Sequence, residues 1–256
     1  MMKEWDLLCD RIASMERVAV SFSGGVDSTV ILAAAVKALP EDHIAVFADV
    51  PMLSERQRLT AIAVADELKA NVVVAKLCWH GMPGVRENTA ERCYHCKKAI
   101  YSAVRCVALD NGFTVCADGE NSSDNADERP GRRAASELGM ISPLKDLGFT
   151  REIVKKMFGS LRLRTDVQKE TCLATRFPLG VPFGDEDLRL IEECEETIRK
   201  ISGVRLIRMR LLKYGAELFA LPSEVSMLAA CSRELSDALL SKGISKMTIN
   251  EKGYRE

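Results

Sequence analysis

With 256 residues, 36 basic and 37 acidic side chains and a net charge of −1, the chain can bury one large core or two small ones, and it lacks the charge excess that marks a nucleic-acid binder. No apolar run reaches the ~18 residues a membrane span needs, and the opening Met1-Met-Lys-Glu-Trp-Asp is too charged for a secretory signal. A cytoplasmic protein with no membrane partner is expected, and nine cysteines in a reducing cytosol are not a disulfide framework.

In chain order, a run of β-formers at 18–23 leads into Ser23-Gly24-Gly25-Val26-Asp27-Ser28, and an apolar helical stretch at 29–39 follows at once. A strand, a glycine turn and a helix start present backbone N–H groups and the helix dipole to an anion, most often phosphate. Gly24 and Gly25 let the backbone approach it, and Ser23 and Ser28 add hydroxyls. Asp27 is a carboxylate beside that anion and needs a partner; bound Mg2+ or a backbone N–H would supply one. The G-x-x-x-x-G-K-[ST] pattern of γ-phosphate transfer is absent.

Strands are expected next at 44–48, 72–77 and 113–117, with helices at 55–69 and 97–110 between them. This alternation predicts an α/β fold, a mostly parallel sheet covered by helices on both faces. Ligands of such sheets bind beyond the C-terminal strand ends. The glycine loop, the turn at Asp49 and the turn Asp118-Gly-Glu-Asn121 are therefore expected to line one cleft, with Asp49, Glu120 and Asn121 as nucleotide-binding candidates. The Pro- and Gly-rich stretch 177–184 predicts a boundary, giving a nucleotide-binding domain over 1–180 and a small α+β module over 181–256. In that module a helix is expected at 185–200, a strand pair at 204–210 and 217–221, one helix at 223–240 and a last strand at 246–250. Arg208 and Arg210, at i and i+2, share a strand face.

Among the cysteines, Cys106 and Cys116 sit in apolar runs and read as core residues, whereas Cys93, Cys96 and Cys172 have polar or charged neighbours and read as loop positions. A lone C-x-x-C serves zinc, a redox dithiol or an iron–sulfur cluster. With Cys172 as a third ligand, three thiolates can hold three irons of a 4Fe–4S cluster and leave one iron open. Zinc on the three cysteines and His95, and unlinked thiols, are the alternatives.

The Ser23–Ser28 block resembles the PP-loop of the ATP pyrophosphatases. Further motifs follow in order: Arg92-Cys93-Tyr94-His95-Cys96-Lys97-Lys98, Asp118-Gly-Glu-Asn121, Asp127-Glu-Arg-Pro-Gly-Arg-Arg133, Ser142-Pro143-Leu144, Cys172-Leu-Ala-Thr-Arg176 with Pro178 and Gly180, and Gly253-Tyr254-Arg255. Together they resemble the LarE family of ATP-dependent sulfur transferases over almost the whole chain. The resemblance implies that ATP adenylylates a carboxylate of a pyridinium mononucleotide, a nickel-pincer cofactor precursor, and releases pyrophosphate. Sulfur then displaces AMP and leaves a thiocarboxylate. It implies catalytic roles for Asp27, Cys93, Cys96 and Cys172, a 4Fe–4S cluster on the three cysteines, and substrate contacts from Arg133, Arg176, Arg208 and Arg210. In some members the cysteine matching Cys172 is itself the single-use sulfur source. A sulfur donor, sulfide or a protein, and self-association into a homo-oligomer are also expected. The stretch Leu211-Leu-Lys-Tyr-Gly215 departs from the family's histidine-containing pattern, as does Glu217 from an aspartate-like position. The rivals are a tRNA-thiolating PP-loop enzyme, which would want a basic RNA-binding extension, and an ammonia-using amide synthetase, which would not need the three cysteines. A non-catalytic iron–sulfur carrier is a third, and the intact PP-loop speaks against it.

Overall fold

The computed structural model describes residues 2–123, 130–168 and 170–254. Asp127, Glu128, Arg129 and Arg255 of the motifs above lie outside the described residues. The chain divides into two compact units: Met1–Val85 with Glu91–Glu170, and Arg86–Ala90 with Thr171–Glu256.

The first unit opens with α1 (Met2–Ala13), β1 (Val18–Phe22), α2 (Val26–Ala38), β2 (His43–Asp49), α3 (Glu55–Leu68) and β3 (Val72–Lys76). It continues with α4 (Arg92–Asp110), β4 (Cys116–Ala117), α5 (Pro130–Glu137), α6 (Pro143–Asp146) and α7 (Arg151–Ser160). The strands form a parallel sheet in the order β3-β2-β1-β4. Side-chain alternation splits the core between its faces. Val18, Val20, Phe22, Ala45 and Phe47 pack with α1, α2 and α7, whereas Ala19, Ile44, Val46 and Cys116 pack under Val104 and Ala108 of α4. Residues 30–35 of α2 are buried all round, as befits a helix apolar on every face. The chain runs outward from β1 through β2 to β3, then returns to place β4 on the other side of β1. That reversal opens a crevice at the C-terminal ends of β1 and β4.

In this unit β4 and α4 differ from their sequence expectation. The fourth strand is two residues long because Phe113 closes the preceding helix: Gly112 is left-handed (φ +77°) and the Phe113 N–H returns to the Ala108 carbonyl at 2.8 Å. The helix expected from Lys97 starts at Arg92. Nothing in 92–96 breaks a helix, and Tyr94 packs on Ala134 and Ala135 of α5, which favours the extra turn. Cys93 and Cys96 are therefore helical residues, not loop residues as expected.

The second unit contains α8 (Asp185–Ser202), β5 (Ile207–Leu212), β6 (Gly215–Ala220), α9 (Val225–Ala230), α10 (Ser232–Ser241) and β7 (Met247–Ile249). Strands β5 and β6 are an antiparallel pair, and β7 adds parallel to β6. The single helix expected over 223–240 is broken. A 3-10 turn at Pro222–Glu224 precedes α9, and Cys231 separates α9 from α10 with its thiol aimed at the Ile201 carbonyl (3.7 Å). The unit begins at Thr171, before the Pro/Gly stretch, and takes in 86–90. Hydrogen bonding explains that membership. The Asn88 amide donates to the carbonyls of Pro178 (2.8 Å) and Val181 (3.1 Å), and the Gly180 N–H donates to the Asn88 carbonyl (2.9 Å).

Candidate functional site

The glycine loop joins β1 to α2 with its hydroxyls already tied in. The Ser23 N–H donates to Ser28 Oγ (3.2 Å), the two serine hydroxyls are 3.1 Å apart, and Ser28 Oγ donates to the Gly25 carbonyl (3.1 Å). Gly24 has φ +74°, and a Cβ there would stand 2.6 Å from the Ala61 Cα, so glycine is required twice over. Gly25 caps α2 without a side chain, which leaves the first N–H groups of the helix for an anion.

From the neighbouring strand, the turn after β4 presses on that helix start. A Cβ on Gly119 would lie 2.8 Å from the Ser28 nitrogen. Asn121 is buried, and its amide donates to Asp27 Oδ1 at 3.3 Å. The structure thus brings Ser23, Gly24, Gly25, Asp27, Ser28 and Asn121 together. Glu120 belongs to the same turn, but its carboxylate is held by Arg132 and by Lys145 (3.4 Å). Asp49 ends β2, and its carboxylate accepts from Arg58 Nε at 2.7 Å. Arg133 is in α5, paired with Glu91 at 2.6 Å and stacked over the Tyr94 ring at 3.6 Å; these partners, Glu91 first, raise its pKa.

Cys93 and Cys96 stand one turn apart in the first turns of α4, so they share a helix face; Cys93 is exposed and Cys96 half-buried. Arg92 Nη2 lies 3.9 Å from the Cys93 sulfur. In the second unit, Cys172 is half-buried and opens the 3-10 turn Leu173–Arg176. Two thiols at i and i+3 suit adjacent irons of a cluster by donor chemistry. Among the described residues, however, no three His, Cys, Asp or Glu side chains come together to hold a metal. Cys106, expected in the core, is exposed on α4, while Cys116 is buried as expected.

Arg176 is buried and its planar fork is on Glu195, with Nε–Oε1 at 2.8 Å and Nη2–Oε2 at 3.2 Å. Its Nη1 donates to Thr171 Oγ1 (2.8 Å), Thr175 Oγ1 (2.9 Å) and the Thr171 and Cys172 carbonyls (3.0 and 3.3 Å). The fork expected to take a substrate anion is thus on Glu195, and Nη1 braces the turn that presents Cys172. Arg208 and Arg210 do share a face of β5. Arg208 is buried over the Tyr254 ring at 3.5 Å, and that burial lowers its pKa; Arg210 is exposed over Phe219 at 4.6 Å. Sequence reading missed Glu195, which also accepts from the Met209 N–H at 2.9 Å. The signal was available: an acid on the apolar stripe of α8, between Ile191 and Ile198.

A parallel sheet with a Ser-Gly-Gly-x-Asp-Ser loop at its switch point defines a PP-loop α/β protein. The family model described as NAD synthase matches residues 8–79, the stretch from α1 through β3. Over 241 residues, 94% of this chain and 91% of the relative, the chain is 30% identical to a protein of Methanocaldococcus jannaschii described as uncharacterized. It is 28% identical over 246 residues, 95% of this chain and 89% of the relative, to the pyridinium-3,5-bisthiocarboxylic acid mononucleotide synthase of Lactiplantibacillus plantarum. The chain belongs to the LarE family.

Proposed function

We propose that this protein is an ATP-dependent sulfur transferase acting on a carboxylate of a pyridinium mononucleotide. The observation that carries the reading is the PP-loop at the β1/β4 switch point, with Asp27 and Asn121 paired at its edge and no phosphate-loop lysine. The name of the L. plantarum relative supplies the substrate class. A substrate carboxylate oxygen attacks the α-phosphorus of ATP, the Pα–O bond to pyrophosphate breaks, and an acyl adenylate forms. A sulfur nucleophile then adds to the acyl carbon and AMP leaves with the oxygen. Gly24, Gly25 and Ser28 would bind the departing pyrophosphate. Asp27 would orient Mg2+ on it, and neutralising that leaving group is where the site gains most. Asp49, Glu120 and Asn121 are assigned to MgATP, Glu120 and Asn121 at its pyrophosphate end, since their turn abuts Asp27 and Ser28, and Arg133, Arg176, Arg208 and Arg210 are assigned to the substrate's anionic groups. Cys93, Cys96 and Cys172 would hold a 4Fe–4S cluster that would supply the sulfur, with Cys172 as a single-use sulfur source the alternative. Sulfide or a protein would be the donor, and self-association is part of the proposal.

Product analysis tests the reading. AMP, pyrophosphate and a substrate heavier by the exchange of oxygen for sulfur are expected, whereas ADP and phosphate would overturn it. The NAD synthase match favours one rival, an ammonia-using synthetase. An amide product with ammonia, and no thiocarboxylate with a sulfur donor, would decide for that rival.

A further inference from the structure

We infer that Asp118 is a positioning residue whose buried carboxylate clamps the turn 118–121 onto the first turn of α2, so that the pyrophosphate-binding loop and Asp27 keep the geometry that MgATP needs. This deepens the reading above and rests on it for the identity of the ligand.

The geometry of the clamp is specific. Asp118 directly follows β4 and is 3% exposed. Oδ1 accepts from Ser142 Oγ (2.8 Å) and from the Glu120 N–H (3.1 Å), and Oδ2 accepts from the Tyr101 hydroxyl (2.9 Å). Three donors from three segments therefore converge on one buried carboxylate: α4, the residue ahead of α6, and the turn itself. Lys97, whose ammonium lies 5.0 Å from the Tyr101 ring centroid, adds a positive charge that balances the carboxylate. A buried carboxylate is stable when it is both hydrogen-bonded and charge-balanced. The bond to the Glu120 N–H fixes the turn from within. One residue further on, Gly119 has so little room that a Cβ would meet backbone, the Ser28 nitrogen at 2.8 Å and the Asp27 carbonyl carbon at 3.0 Å. Two residues beyond that, the Asn121 amide reaches Asp27 Oδ1. Moving Asp118 moves the surface against which the anion cradle rests. The chemistry of the cradle needs only its own atoms; the clamp fixes where those atoms stand.

Equilibrium binding of three probes tests the inference: Mg-pyrophosphate, MgATP and AMP. AMP lacks the pyrophosphate, so its affinity reports the nucleotide site without the loop. In Asp118→Ala, whose three donors lose their acceptor, affinity for Mg-pyrophosphate and MgATP should fall by about tenfold or more, as loss of one well-placed buried hydrogen bond implies, while AMP affinity stays within about twofold. Asp118→Asn keeps the Oδ1 acceptor and should recover most of the loss. Gly119→Ala removes no hydrogen-bonding group but forces the turn off Ser28, and should reproduce the Ala phenotype even if Asp118→Ala does not fold. Wild-type affinity for all three probes in Gly119→Ala, or parallel losses of pyrophosphate and AMP binding, would overturn the clamp. A wild-type protein that binds neither ATP nor pyrophosphate would instead sink the functional reading, so the two failures are distinct.

Discussion

Asp27 and Glu195 are both acids beside cations or anions, yet burial gives them opposite tasks. Asp27 is assigned to the reaction: Asp27→Ala is expected to abolish AMP formation while leaving the circular dichroism of the fold unchanged, and residual AMP release near the wild-type rate would reject that role. Glu195 is fully enclosed by Arg176, Arg199 and the Met209 N–H. Removing one partner of a buried ion pair typically costs about 3–5 kcal/mol. Glu195→Ala should therefore shift the denaturant midpoint far more than Asp27→Ala does. A cost under about 1 kcal/mol, the scale of an exposed pair, would show the pair to be solvated. Cysteine burial predicts a labelling map. Burial pushes the Cys194 thiol up to about 11 and raises Cys116 and Cys9 as well. Native protein treated with iodoacetamide should label at exposed Cys78, Cys93 and Cys106, and not at Cys194. The same burial has a pH consequence. The unfolded Cys194 thiol ionises near 9 while the folded one holds its proton to about 11, so the unfolded state binds fewer protons in that window and stability falls as pH rises through it. Cys194→Ala should flatten that decline in denaturant midpoints measured between those pH values.

At the scale of elements, what the sequence made legible was set by periodicity and what it hid was set by partners. Strands β1, β2 and β3 and helix α3 fall within a residue or two of expectation, because each has a clean apolar pattern and a chemical boundary. Ser54 opens α3 with a reciprocal capping box to Gln57. Ser54→Ala should cost about 1 kcal/mol or slightly more, since its hydroxyl also reaches Glu170 Oε2 at 3.2 Å; an unchanged melting midpoint would mean that the cap is idle. The N-terminal turn of α4 was hidden because Arg92-Cys93-Tyr94-His95-Cys96 carries no strong signal of its own, and only the packing of Tyr94 on α5 fixes it. The break at Cys231 was hidden likewise, because no glycine or proline marks it and the thiol's contact with Ile201 comes from a distant helix. Within the site, the glycine loop was readable as a contiguous block. Of its support only the turn 118–121 was readable; Tyr101 and Ser142 reach Asp118 only because α4, β4 and α6 meet. That the Arg176 fork lies on Glu195 was hidden too, because sequence shows the fork without its partner.

For the molecule as a whole, the division of the chain has a consequence for how it can be cut. Residues 86–90 are embedded in sequence between β3 and α4 of the first unit, yet they belong to the second. Asn88 is their anchor. It is fully buried, adopts a left-handed backbone (φ +53°), and supplies both side-chain donors and its own carbonyl to the 178–181 segment. Asparagine tolerates that backbone better than most residues because its short polar side chain bonds locally. A fragment that starts at 171 lacks these donors, leaving the Pro178 and Val181 carbonyls and the Gly180 N–H to find other partners. Each unmet buried group costs about 1–3 kcal/mol, a large share of what a unit of this size can hold. The fragment 171–256 should therefore be poorly folded alone and gain helical signal when a peptide spanning 84–92 is added, whereas the same peptide with Asn88→Ala should not restore it. In the intact chain, Asn88→Ala should lower the denaturant midpoint of probes in the second unit before those in the first. A fragment 171–256 that unfolds cooperatively at the wild-type midpoint without the peptide would show that the segment is a passenger rather than a part of that unit.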